Sequence, residues 1–269
     1  MQSYICTTCG VAHAPSDAPP DLCRICGEER QYVNPAGQAW TTHAALLADH
    51  RNDIRPLEAN LLGIGTSPAV AIGQRALFVT GAAGGVLWDC TALCSDSAVE
   101  AIAAQGGIRA IAISHPHFYS NMIGWSERLG GVPVYLHEAD REWVMHPHRN
   151  ITHWSGETLD LGGGITLIRC GGHFAGSTVL HWAGGGAGKG ALFTADTIMV
   201  TPDPHWMSFM YSYPISIPVN ATTVRRIVDT VEPFVFDRMY GGWWDRVCAE
   251  NAKARLHASA ERYIAAISG

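Results

Sequence analysis

Among thirteen histidines and eight cysteines, a few fall into patterns that suit chemistry. Ile108 to Ile113 is a short apolar, β-branched run that reads as a buried strand. His115 and His117 follow its end, one residue apart. Imidazoles at i and i+2 can project from one loop toward a shared metal. Further along, His173 lies in Gly171-Gly-His173-Phe-Ala-Gly-Ser177, and Asp196 closes Leu192-Phe-Thr-Ala-Asp196. Each sits at or just past the end of an apolar segment, where α/β folds build their sites. A lone H-x-H pair is weak evidence, because paired surface histidines are common. Four donors at strand ends make a stronger pattern. Three neutral ring nitrogens leave a position open for water, and a carboxylate can join the ligands or orient that water.

Cysteines make the second pattern. Cys6-Thr-Thr-Cys9 and Cys23-Arg-Ile-Cys26 are two C-x-x-C knuckles, each followed by a glycine. Four thiolates from two such turns form a closed tetrahedral site. Val11 to Leu22 between them is polar and proline-rich, so a metal must take the place of a core. The spacing fits a zinc ribbon and equally a rubredoxin-like module, because S4 geometry suits zinc or iron. Residues 1–32 are assigned to this module and 33–269 to a larger domain. The larger domain is expected to have a separate core and to stand without the ribbon. Cys90, Cys94, Cys170 and Cys248 read as core thiols.

The elements that must position these donors follow from periodicity. Thr41 to Asp49 reads as a short helix capped by Thr41 or Thr42. Leu61–Gly65, Ala69–Ile72, Arg75–Val79 and Val86–Asp89 are short apolar runs, read as strands of an antiparallel meander. Asp89 is expected to fix a ligand histidine or nearby backbone. Helices are expected at Ser97–Gln105, Asn121–Leu129 and Glu138–Met145, and a strand at Val132–His137. In the second half, Ile165–Ile168, Thr178–Trp182 and Ala191–Thr194 read as strands. Ala221 to Val231 is amphipathic, with Val224, Ile227, Val228 and Val231 on one face. Phe234–Phe236 is read as the last strand and Arg246–Ile267 as the closing helix. Two β-rich halves, each with helices, fit an α+β fold, a four-layer αββα sandwich. Gly184–Gly190 is no phosphate loop, since Gly190 rather than Ser or Thr follows Lys189. Pro202 to Pro218 is rich in aromatics and methionine. It is expected to wall the site, with Trp206, Phe209 or Tyr211 near the metal.

From about residue 57 to 245 the chain resembles the metallo-β-lactamase superfamily. Asp89 after a strand, the H-x-H pair, Gly-His-x-x-Gly-Ser at 172–177 and the strand-end Asp196 carry the resemblance. It departs from the family at three second-metal positions. H-x-H-x-D-H is here His115-Pro-His117-Phe-Tyr119-Ser120, and the turn after the final strand reads Tyr240-Gly-Gly-Trp243-Trp244, without histidine. The resemblance implies a metal-dependent hydrolase with one zinc or iron ion on His115, His117, His173 and Asp196. Tyr119 would hydrogen-bond the substrate or a developing oxyanion. Two other readings stand beside it. One is a mononuclear iron or rubredoxin-linked oxidoreductase, the other a non-catalytic binding protein on the same fold.

Bulk properties narrow the partners. The formal net charge of −6 gives no electrostatic case for nucleic acid or an anionic membrane, and no apolar run is long enough to span a bilayer. Charged residues make up 16 %, a low share compatible with a homo-oligomer interface. A small-molecule substrate is expected. With no signal peptide evident, a cytoplasmic location is expected, with reduced or metal-bound cysteines.

Overall fold

The computed structural model describes residues 1–268, which divide into two compact units. The first comprises residues 1–136 and 141–153, the second residues 137–140 and the chain from Trp154 on.

A seven-stranded sheet organises the first unit. Its strands run in chain order: Arg51–Glu58, Leu61–Ser67, Ala76–Val79, Gly85–Trp88, Ile108–Ala112, Val134–His137 and Ile151–Trp154. The first four pair antiparallel, as the meander reading expects. Gly85–Trp88 then pairs parallel with Ile108–Ala112, which pairs parallel with Val134–His137. A parallel neighbour needs a crossover, and helix Asp96–Ala104 supplies it. Ser95 caps that helix, its side chain accepting from the Ala98 amide. Helix Met122–Arg128 makes the next crossover. Val86, Leu87, Ala110, Ile111 and Ala112 are buried, so the H-x-H loop starts from the centre of this sheet.

The N-terminal module lies within the first unit. Its short strand Ile5–Cys6 pairs with Trp40–Thr41. Its core is not separate as the sequence reading expects, because Ile5 and Ala12 share one buried cluster with Leu46, Ala92 and Leu93. A module with few apolar residues gains by burying them against a neighbour's.

A six-stranded sheet organises the second unit, ordered Thr158–Gly162, Ile165–Arg169, Thr178–Trp182, Ala191–Phe193, Arg238–Tyr240 and Val247–Cys248. Its first four strands are antiparallel, and Ala191–Phe193 pairs parallel with Arg238–Tyr240. Helix Ala221–Val231 buries Val224, Ile227, Val228 and Val231, the face its spacing predicts. Helix Ala252–Ser268 buries Leu256 and Ala260 in the same cluster, beside Ile168, Leu192 and Met239.

Several elements differ from the sequence reading, among them Glu138–Trp143, a 3-10 segment where a helix to Met145 is expected. Phe234–Phe236 is not a strand; the pairing segment is Arg238–Tyr240. The closing helix starts at Ala252, because Val247 and Cys248 pair back onto Tyr240 and Met239. Ala69–Ile72 forms no strand. Arg51–Glu58 does, although it is polar and half exposed, because it lies at a sheet edge against Leu61–Ser67. The Gly184–Gly190 segment is a tight turn between strands. Gly190 has φ +82°, and a Cβ there would stand 2.0 Å from the Val235 carbonyl oxygen, so only glycine fits.

Candidate metal centres

The four N-terminal thiols come together as the knuckle spacing predicts. Cys6, Cys9, Cys23 and Cys26 are buried and unoxidised, and their sulfurs form one compact group. Cys6 Sγ is 3.6 Å from Cys26 Sγ, and Cys9 Sγ is 3.7 Å from Cys23 Sγ. A tetrahedral ion about 2.3 Å from each sulfur sets S···S contacts near 3.8 Å, so the donor set fits a metal of zinc or iron size. Thiols this crowded do not titrate independently. Donation from Cys26, Cys6 and Cys9 holds the Cys23 thiol well below its ordinary range, with His13 adding to the effect. The Gln38 amide donates to Cys6 Sγ at 3.2 Å and its carbonyl accepts from Cys23 N, tying the two knuckles together. The other four thiols are buried core groups: desolvation pushes Cys170 up to about 12 and Cys90 well above the ordinary range.

In the first unit, strand Ile108–Ala112 leads through Ile113 and Ser114 to His115, which begins the site. The Asp89 carboxylate accepts from the Ser114 amide at 2.8 Å, the backbone-fixing role expected for it. Ser114 Oγ meets His115 Nδ1 at 2.9 Å, which directs Nε2 away from the strand. Pro116 opens a short 3-10 turn through Phe118 and sets His117 beside His115. The two rings pack edge to face, 5.3 Å between centroids, and each residue is 1 % exposed. Ser114→Ala is expected to free the His115 ring and weaken metal binding about 10- to 100-fold, read by competition with a chelator. Unchanged affinity would show that Ser114 does not orient the ligand.

The second unit holds the other pair. The His173 loop is built on Ser177, whose hydroxyl accepts from the Phe174 amide at 2.7 Å and whose carbonyl accepts from Cys170 and Gly171. Gly172, at φ +91°, passes so close to helix Ala221–Val231 that a Cβ would meet Ile227 Cδ1 at 2.9 Å. His173 Nδ1 lies 3.2 Å from the Met210 carbonyl oxygen. A carbonyl only accepts, so Nδ1 carries the proton and Nε2 keeps a lone pair. That Nε2 lies 3.9 Å from Asp196 Oδ2, with the two side chains 0 % and 4 % exposed. The gap is too long for a hydrogen bond. It suits two donors about 2.0–2.2 Å from one shared ion.

Segment 202–218 reaches this half-site through Met210 and Tyr213. Phe209 is buried in the hydrophobic cluster, and Trp206 lies under the Arg262 guanidinium, 4.2 Å from its ring. The Met210 backbone touches His173, whose ring also packs edge to face on Phe174, 5.2 Å between centroids. Tyr213 is the residue the sequence reading missed. Burial pushes its phenol up to about 12, against a Ser208 hydrogen bond, and the Asp196 carboxylate adds to the rise. A tyrosine before proline in an aromatic-rich stretch carries no signal that would single it out.

The comparisons fit this architecture. No family model matches the chain. Among solved structures it is similar to VMB-1, with a TM-score of 0.60 and 15 % identity over 81 % of this chain and 98 % of that one. The DIM-1 metallo-β-lactamase gives 0.59 and 16 % over 79 % and 98 %. MEM-A1, a subclass B3 metallo-β-lactamase from a soil metagenome library, gives 0.50 and 17 % over 78 % and 94 %. The fold is therefore the metallo-β-lactamase fold, the αββα sandwich expected from the sequence, with a four-cysteine cluster near the N-terminus. More narrowly, the chain belongs to the family of YmaE, an uncharacterized protein of Bacillus subtilis (strain 168). The two are 46 % identical over 274 residues, covering all of this chain and 98 % of that protein.

Proposed function

We propose that this protein is a metal-dependent hydrolase in which His115, His117, His173 and Asp196 together hold one zinc or iron ion. The observation that carries this reading is the His173–Asp196 pair: a buried carboxylate and a ring nitrogen whose tautomer is fixed for ligation, spaced for a shared ion. The likeness to metallo-β-lactamases in fold supports it. Such an ion supplies an acidified water as nucleophile near neutral pH. Asp196, as ligand or base, would orient that water, and the imidazoles would hold the geometry.

One ion is proposed rather than two. Tyr119 and Ser120 replace the carboxylate and imidazole of the family's second site, and Trp243 replaces its third donor. A protonated phenol, a neutral hydroxyl and an indole N–H are poor or impossible ligands. Tyr119 is assigned to hydrogen-bond the substrate oxygen as charge develops. Tyr119→Phe is expected to lower turnover about 10²-fold or more with metal content unchanged. An unaffected rate would remove Tyr119 from the mechanism.

The four-thiolate site is proposed to be structural, with zinc as its ion. Iron there would make the module rubredoxin-like and favour the oxidoreductase reading; ferric S4 iron is coloured and zinc is not, so absorption separates them. No helix among the described residues is long and apolar enough to cross a membrane. A cytoplasmic location and a small-molecule substrate complete the proposal. Its test is a panel of esters, thioesters, lactones and phosphodiesters offered to metal-loaded protein. Chelator-sensitive hydrolysis of at least one class is expected. Full metal occupancy with none cleaved would favour a binding protein.

A further inference from the structure

The ribbon and the H-x-H loop meet in the first unit at the residue that replaces the family's second-site histidine. Ser120 is buried and adopts φ +45°, a left-handed conformation that L side chains rarely take. Its carbonyl accepts from the Ala12 amide at 2.9 Å, and its hydroxyl donates to the Gly10 carbonyl at 3.4 Å. Gly10 and Ala12 directly follow the first cysteine knuckle. The Gly10 amide donates to the Cys6 carbonyl at 2.8 Å, and the Cys6 amide to Val11 at 3.0 Å. A Cβ on Gly10, itself at φ +81°, would meet Ala71 Cβ at 3.2 Å and Ser120 Oγ at 3.6 Å. Val11, Ala12, Tyr119, Ser120, Ile123 and Met145 line the contact. On its other flank the same turn is tied by Asn121 to the Ala92 carbonyl and by Trp125 to Thr91.

We infer that the metal-bound ribbon holds the His115–Asn121 turn in its ligating shape, with Ser120 as a positioning residue where the family has a second-site ligand. This rests on the reading that His115 and His117 hold a metal. A left-handed non-glycine residue persists only where surrounding structure over-determines it. The Ala12 amide, donating to the Ser120 carbonyl, and the Gly10 carbonyl, accepting from its hydroxyl, do this, and they are in place only while the Cys6–Cys9 knuckle is folded. The knuckle in turn has four thiolates and few apolar residues to fold it. Occupancy of the thiolate site is thus transmitted to the histidine pair without any shared ligand.

The test uses the full chain and two variants. Cys26→Ser empties the ribbon; Gly10→Ala keeps all four thiolates and strains the turn where the knuckle meets Ser120. Amide exchange over residues 118–122 is measured beside that of strands Ile165–Arg169 and Thr178–Trp182. Cobalt(II) affinity of the histidine set is read from its bands without thiolate charge transfer. In both variants, exchange over 118–122 is expected to quicken and cobalt affinity to fall about tenfold or more, while the two strands keep wild-type protection. Exchange and affinity within about twofold of wild type would overturn the inference. Should Cys26→Ser lose protection throughout, Gly10→Ala alone decides by the same thresholds. If the wild-type histidine set takes up no cobalt, the hydrolase reading fails, and the exchange data still decide the coupling.

Discussion

Replacing His173 with alanine is expected to release one metal equivalent per chain and to lower hydrolysis at least about a thousandfold, roughly 4 kcal/mol in the barrier. His173 is fixed from both sides: Met210 sets its tautomer and the Gly171-Gly172 backbone seats its loop against Ile227. Alanine at 173 would therefore leave the loop in place and remove only the donor. The ribbon metal should stay, since Cys6, Cys9, Cys23 and Cys26 belong to the first unit. Metal analysis paired with turnover checks this. Retention of all metal, with activity near wild type, would show that His173 is no ligand.

Cys23→Ser is the second large effect. A structural zinc site contributes on the order of 10 kcal/mol to the folded form, because the unfolded chain offers no preformed site. Losing one thiolate should release that ion and disorder residues 5–30. The damage should reach beyond the ribbon, because Ile5 and Ala12 share a cluster with Leu46, Ala92 and Leu93. Withdrawing two buried apolar side chains from such a cluster costs about 2–5 kcal/mol more. A melting transition lowered by about 10 °C or more is expected in calorimetry. A variant with full metal content and an unchanged transition would mean that the thiols hold no ion.

What the sequence made legible was whatever depended on residue type at short range. Four thiols in two knuckles, two histidines past a β-branched strand and the apolar stripe of Ala221–Val231 are all local patterns, and the structure places them as read. Asp89 was legible in role because a strand-end carboxylate next to a ligand loop has few other partners, and it does accept from Ser114. Segments decided by pairing were harder. Arg51–Glu58 is strand because Leu61–Ser67 lies alongside, not because of its own residues. Val247–Cys248 reads as the start of a helix until Tyr240 and Met239 claim it as an edge strand. Backbone contacts left no trace at all. Ser120 bonds to Gly10 across 110 residues, and His173 to Met210 across 37, through carbonyls that every residue carries. Composition pointed to the rings of segment 202–218, and the segment makes its approach through Tyr213 and the Met210 backbone.

The central claim is a single ion in the histidine set beside a separate ion in the ribbon. Anomalous scattering from crystals of metal-loaded protein, collected on both sides of the zinc and iron edges, tests it most directly. Two peaks per chain are expected, one among the four sulfurs and one shared by His115, His117, His173 and Asp196. A pair of ions about 3.5–4 Å apart at the histidine set, the spacing of bridged two-metal sites, would contradict it.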